Sequence, residues 1–230
     1  MIFMCGRLDQ HHSSQDYAMP FAWYDAVYDS HAEPRYNVAP GTYRPVIHVE
    51  NEVLRVDDLY WGYRPHWAAA KKIPVAINAR MEKLSKAYFG RLLKNGRCIV
   101  PADAWYEWTG EKGRKQPWRI YRKDQQPLFI AALANFGPYK EQPEHPSEAG
   151  FVLITADAVG GMVDIHDRRP VVLNLPDATL WLDPDLAPEQ AEQLLRHCAS
   201  SAEEFAWYPV SRDVNKGSTD DRSLIKKLDD

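Results

Sequence analysis

Short apolar runs dominate this chain, and they follow one another without helices set regularly between them. Arg44 to Val49, Val53 to Trp61, Trp118 to Arg122, Pro127 to Ala134, Phe151 to Thr155 and Val171 to Leu175 are rich in β-branched and aromatic residues and stop at turn formers. Val75-Ala76-Ile77 is a shorter run that delivers Asn78, and Cys98-Ile99-Val100 ends at Pro101. Helical patterning is confined to four places. Ser13-Ser14-Gln15-Asp16 reads as an N-cap with an acidic first turn, opening a helix toward Tyr24 that Pro20 interrupts. Leu84, Tyr88 and Leu92 share a helical face up to a stop at Asn95-Gly96, and Asp177 caps a short helix through Leu182. Pro188 opens a longer one with Ala191, Leu194, Leu195 and Cys198 inward. Strands outnumber helices and do not alternate with them, so the expectation is α+β, not α/β.

A chain of 230 residues can bury a good core in a single compact domain. The turn-rich stretch 33–41 and the hairpin turn 110–113 belong inside it. Residues 138–149 read as an exposed loop and 225–230 as a loose tail, which leaves 5–224 as the domain and 1–4 as a leader.

Charge narrows the function classes. Against 28 Lys and Arg stand 32 Asp and Glu, so bulk charge does not make this a polyanion binder. Nucleic-acid contact would need a local arginine cluster and stacking rings, and eight Trp and twelve Tyr supply the rings. Three cysteines without a CxxC pair argue against a disulfide framework and a cysteine-based zinc site. No metal and no cofactor is expected. No apolar run approaches the ~20 residues that span a bilayer, and Met1-Ile2-Phe3-Met4 is too short for a signal peptide. The expected place is the cytoplasm, with no membrane partner. Lacking long heptads, the chain is expected to be a monomer.

The chemistry starts at Met4-Cys5-Gly6-Arg7. A cysteine at a free N-terminus carries a thiol and an α-amine on adjacent carbons, titrating near ~8.5 and ~8. An aldehyde meeting that pair forms a Schiff base, and the thiolate closes it into a thiazolidine. As written, Cys5 is internal: either Met4 is the true start and is clipped, or residues 1–4 are otherwise removed. A buried structural cysteine opening the first strand is the plainer alternative.

Glu107, between Tyr106 and Trp108, is placed by its sequence among rings that would raise its pKa. His166, between Asp164 and Asp167, is a base candidate, while His11 and His12 read as a surface approach to a helix. Asn78 ends a strand and could hold a substrate oxygen or satisfy backbone groups. Arg7, Arg80 and Arg169 lie near these residues and suit phosphate contact, or simple solvation.

In order along the chain stand Met-Cys-Gly-Arg at 4–7, Arg-Tyr-Asn-Val-Ala-Pro at 35–40, Trp-Gly-Tyr at 61–63 and Asn-Ala-Arg-Met-Glu at 78–82. Arg-Cys-Ile-Val-Pro-Ala-Asp-Ala-Trp-Tyr-Glu-Trp at 97–108 and Ile-His-Asp-Arg-Arg-Pro at 165–170 follow. This ordered set strongly resembles the SOS response-associated peptidase (SRAP) family of abasic-site processing proteins, from Cys5 to about residue 215. The resemblance implies a curved, barrel-like mixed β-sheet flanked by a few helices. It implies single-stranded DNA with abasic sites as the partner and a covalent thiazolidine link in the DNA damage (SOS) response. Carried over by position, Cys5, Asn78, Glu107 and His166 would do the chemistry. Arg7, Asn37, Pro40, Trp67, Arg80, Trp108 and Arg169 would line a DNA cleft. Replication-fork proteins would be further partners, the nucleoid the place of action, and β-elimination a lyase side activity. The family begins Met-Cys, whereas three residues precede Met4 here. Two other readings stand beside this one: a cysteine-type (auto)peptidase built on Cys5, Glu107 and His166, and a non-covalent reader of modified or damaged DNA.

Overall fold

The computed structural model describes residues 5–22, 25–111, 113–137 and 145–228. The leader 1–4, Tyr24 and most of the 138–149 loop therefore lie outside the described residues. Fourteen strands and five short α-helices are assigned within them, as the strand-heavy sequence requires.

Leu128–Ala134 reads Leu-Phe-Ile-Ala-Ala-Leu-Ala, and every residue in it is buried. An apolar run without alternation belongs to a strand covered on both faces, and this one sits inside a nine-stranded sheet. The order there is Arg168–Pro170, Phe151–Asp157, Leu128–Ala134, Arg97–Ala102, Tyr43–Glu50, Val53–Tyr60 and Val27–Tyr28, with Val172–Leu173 and Asn78–Arg80 added beside it. Alternate residues then serve two cores. Ile99, Phe129, Ala131, Leu133, Val152 and Ile154 face Tyr17, Trp181, Leu194 and Leu195 of the helical layer. Cys98, Val100, Ile130, Ala132, Phe151 and Leu153 face a second sheet through Leu8, Val38, Trp105, Ile120 and Phe205.

That second sheet has five strands, Phe205–Pro209, Gln116–Arg122, Ala104–Thr109, Leu8–Gln10 and Arg35–Val38 in order. Its outer face is closed by Val210, Val214 and Leu224 against Tyr106. Neither sheet closes on itself among the described strands, so the expected barrel-like sheet is resolved as two open sheets packed face to face.

Local signals survive unevenly. The capping box at Ser13 and Asp16 starts the helix Ser14–Ala18, and Pro20 turns its continuation into a 3-10 turn. The Tyr43–Glu50/Val53–Tyr60 hairpin turns through Asn51 and Glu52, both left-handed. Pro188–Cys198 is the expected amphipathic helix. Pro101 does not end its strand: Arg97–Ala102 runs through it, opposite Phe129.

The helix foreseen from Leu84 to Leu92 is broken into i→i+3 turns, with a helix only at Gly90–Asn95. Phe89, its N-cap, offers no side-chain acceptor, which removes one reason for a longer helix. Asn174, not Asp177, caps Leu175–Leu182, accepting the Asp177 N–H. Ser147 and Ala149 are buried in a 3-10 turn, not in an exposed loop. Residues 225 and 228 are tied down as well: Tyr208 Oη donates to the Ile225 carbonyl and the Leu228 N–H to that of Pro209.

Candidate active site

Two sheet segments meet at the candidate site. In the smaller sheet Leu8 pairs with Trp105, and the Tyr106 N–H donates to the Arg7 carbonyl at 3.0 Å. This antiparallel register carries the chain ahead of Leu8 toward Glu107. The Cys5 N–H then donates to Glu107 Oε1 at 2.8 Å across 102 positions. Both residues are buried.

Glu107 is not boxed by its sequence neighbours. Strand alternation sends Tyr106 and Trp108 to the outer face, while Glu107 shares the inner face with Trp105. Its carboxyl faces a small pocket lined by Trp105, Ile120, Met162, Ile165, His166 and the two arginines 168 and 169. The pKa is nonetheless raised, to about 7, because burial between the sheets outweighs the hydrogen bond from Cys5. Burial also pushes the Cys5 thiol well up; the Glu107 charge adds to this and Arg168 opposes it. Cys5 itself holds a left-handed backbone, φ 45°, which a side chain adopts at a cost.

The strand Phe151–Asp157 gathers the other candidates. The Leu153 N–H donates to the Ile77 carbonyl beside it, and the parallel ladder sets Asn78 at Leu153 and Arg80 at Thr155. The strand foreseen at residues 75–77 is thus displaced: Asn78 lies within the strand Asn78–Arg80, not after one. The antiparallel partner Arg168–Pro170 pairs Ala156 with Arg169. Its approach is the 3-10 turn Gly160–Asp164, whose Met162 carbonyl accepts the His166 N–H at 3.0 Å.

His166 Nδ1 lies 3.1 Å from the Arg168 N–H and 2.8 Å from Asp167 Oδ1.

The remaining predicted residues separate by exposure. Arg80 and Trp67 are exposed; Trp67 packs edge-on against Tyr88 with Lys71 Nζ 5.5 Å from its ring centre. Trp108 is half-buried and its Nε1–H donates to Asn215. Pro40 is half-buried in the turn where the Gly41 N–H donates to the Trp61 carbonyl. Arg7 is half-buried and donates to Asn37 Oδ1 at 3.0 Å.

Two residues expected to line a cleft are interior. Asn37 spends its amide on the carbonyls of Val214, Lys216 and Thr219. Arg169 is buried and donates to the Ser200 carbonyl.

Arg168, next to the residue expected to line the cleft, holds Glu82, Asp157 and the Thr155 carbonyl and borders the Glu107 pocket.

The profile of the family described as SOS response associated peptidase (SRAP) matches residues 4–217. The chain belongs to the SRAP family. Among SRAP-related proteins, it is 38% identical over 229 residues to the abasic site processing protein YedK of Escherichia coli, covering 98% of this chain and all of that one. It is 32% identical to the abasic site processing protein YoaM of Bacillus subtilis, covering 96% and 97%. The SRAP chain also superimposes on the crystal structure of a phage-related protein of Bordetella bronchiseptica with a TM-score of 0.75 at 36% identity, over 90% of this chain and 95% of that one. No helix among its described residues is long and apolar enough to cross a membrane.

Proposed function

We propose that this protein captures abasic sites in single-stranded DNA by a covalent thiazolidine bond at Cys5, formed after residues 1–4 are removed. The observation that carries this reading is the 2.8 Å contact of the Cys5 nitrogen with Glu107. A liberated α-ammonium at that position would share its proton with a carboxyl poised near neutrality. Glu107 takes that proton, and the free amine adds to the ring-opened sugar aldehyde. The proton returns to the carbinolamine hydroxyl, which leaves as water and gives the imine. The Cys5 thiolate then adds to the imine carbon, and the nitrogen takes up a proton as the five-membered ring closes. No oxidant is involved.

An abasic sugar is mostly a closed hemiacetal, so a proton must reach its ring oxygen before any of this. His166 borders the same pocket as Glu107, which suits it to that proton transfer. Asn78 orients the amine and the sugar oxygen. Arg7 and Arg80 meet phosphates. Trp67, Trp108 and Pro40 stack on or wedge against flanking bases. Asn37 and Arg169 support from inside. The same Schiff base allows β-elimination as a lyase side reaction.

Incubating the processed protein with an oligonucleotide containing one abasic site is expected to yield a heat-stable adduct that Cys5→Ala abolishes. No adduct, or one that survives Cys5→Ala, refutes the reading.

A second reading, self-cleavage ahead of Cys5, draws on the left-handed φ of Cys5 and the Glu107 contact at the nitrogen of that peptide bond. Intact mass decides it: leader retained in Glu107→Gln and lost in wild type supports self-processing, while equal loss in both assigns removal to another enzyme.

A further inference from the structure

His11, His12 and Asp103 converge at the far end of the strands that carry Cys5 and Glu107. Their ligand atoms all lie within 4.8 Å of one another. The carboxylate of Asp103 meets His12 Nδ1 at 2.5 Å and His11 Nδ1 at 3.1 Å, and accepts the His11 backbone N–H at 2.8 Å. Behind His11 stands Asp9, wholly buried, 2.7 Å from His11 Nδ1 and held by two Arg119 nitrogens at 2.7 and 2.9 Å. Tyr36 stacks on the His11 ring with centres 5.1 Å apart. The three groups are thus fixed from behind, while His12 is more than half exposed to solvent.

We infer that His11, His12 and Asp103 form a binding site for a borderline divalent transition ion such as Zn2+. Two imidazoles and one carboxylate are a donor set that such ions prefer, whereas Ca2+ and Mg2+ favour all-oxygen shells. Three protein ligands leave a position for water on the open side, where His12 stands. Asp9 meets His11 at Nδ1, so with Asp9 taking the Nδ1–H it is Nε2 that would ligate, a carboxylate-supported histidine of the kind metal sites use.

A sequence survey that counts cysteines misses this group because Asp103 lies 92 positions from His11. The bound ion would fasten Leu8–Gln10 to the turn before Ala104–Thr109, the two segments that lead to Cys5 and Glu107.

The test uses the full chain with Cys5→Ser and Cys198→Ser, so that neither of these thiols contributes. Titration with Zn2+ by calorimetry, and with Co2+ by visible absorption, is expected to give one ion per chain and a Co2+ spectrum without thiolate bands. His12→Ala, at an exposed position that the fold tolerates, is expected to abolish that binding and the Zn2+-dependent rise in melting temperature. Asp9→Asn is expected to weaken it roughly 10–100-fold. Absence of binding at micromolar protein, or binding that His12→Ala leaves intact, overturns the inference.

Discussion

The backbone nitrogen of Cys5 and the carboxylate of Glu107 are 2.8 Å apart although 102 positions separate them. Pairing of the segment around Leu8 with Ala104–Thr109 brings them together, and burial between two sheets sets the acidity of the carboxyl.

Stability of the unprocessed chain should fall with pH through this group. Glu107 titrates near 7 in the fold against 4.5 unperturbed, so the fold favours its protonated form. That preference is fully present below the unfolded pKa and is lost as pH rises toward 7, a swing of about 3 kcal/mol. Glu107→Gln keeps an acceptor for the Cys5 N–H and cannot titrate. Denaturant melts at about pH 5 and about pH 8 should show the wild type losing more stability than the variant. Parallel losses in both would refute the assigned acidity.

Arg168 holds the thiol of Cys5 more acidic than burial and Glu107 alone would leave it. In a Cys198→Ser background, Arg168→Gln should slow alkylation of Cys5 at neutral pH and move the rate profile to higher pH. An unshifted profile would show that the guanidinium does not act on the thiol.

Asn37→Ala removes donors to three loop carbonyls and the acceptor for Arg7. A loss of about 3 kcal/mol is expected, since buried groups left unpaired cost about 1–3 kcal/mol each. Trypsin should then cut near Lys216 or Arg222 faster than in wild type. Unchanged cleavage would mean that the loop is held by other contacts.

A Cβ on Gly150 would meet the Gly62 carbonyl oxygen at 1.8 Å, whereas one at Gly217 would meet nothing within 4 Å. Gly150→Ala is expected to unfold or severely destabilise the protein, and Gly217→Ala to leave its melting temperature unchanged. Comparable melts for the two variants would contradict this close approach of the strand region around Phe151 to Gly62.

Trp67 is exposed, so Trp67→Ala should spare the fold while weakening single-stranded DNA binding by about 1–3 kcal/mol, the contribution of one stacked base. Fluorescence anisotropy with an intact oligonucleotide measures it, and unaltered affinity would remove Trp67 from the interface.

The residues by themselves determined what short range controls. The Ser13/Asp16 cap, the turn after Glu50, the Pro188 helix and the doubly buried strand at Leu128–Ala134 follow from propensity, capping and apolar pattern, all local quantities. The ordered motifs proposed Cys5, Asn78, Glu107 and His166 as the chemical residues. Tertiary structure decided what each of them faces. It turned Glu107 away from Tyr106 and Trp108, buried Asn37 and Arg169, set Arg168 at the Glu107 pocket and closed Asp103 on two histidines. Those outcomes depend on sheet register between distant segments, and a register shift of a single residue exchanges the faces of a strand without altering its composition.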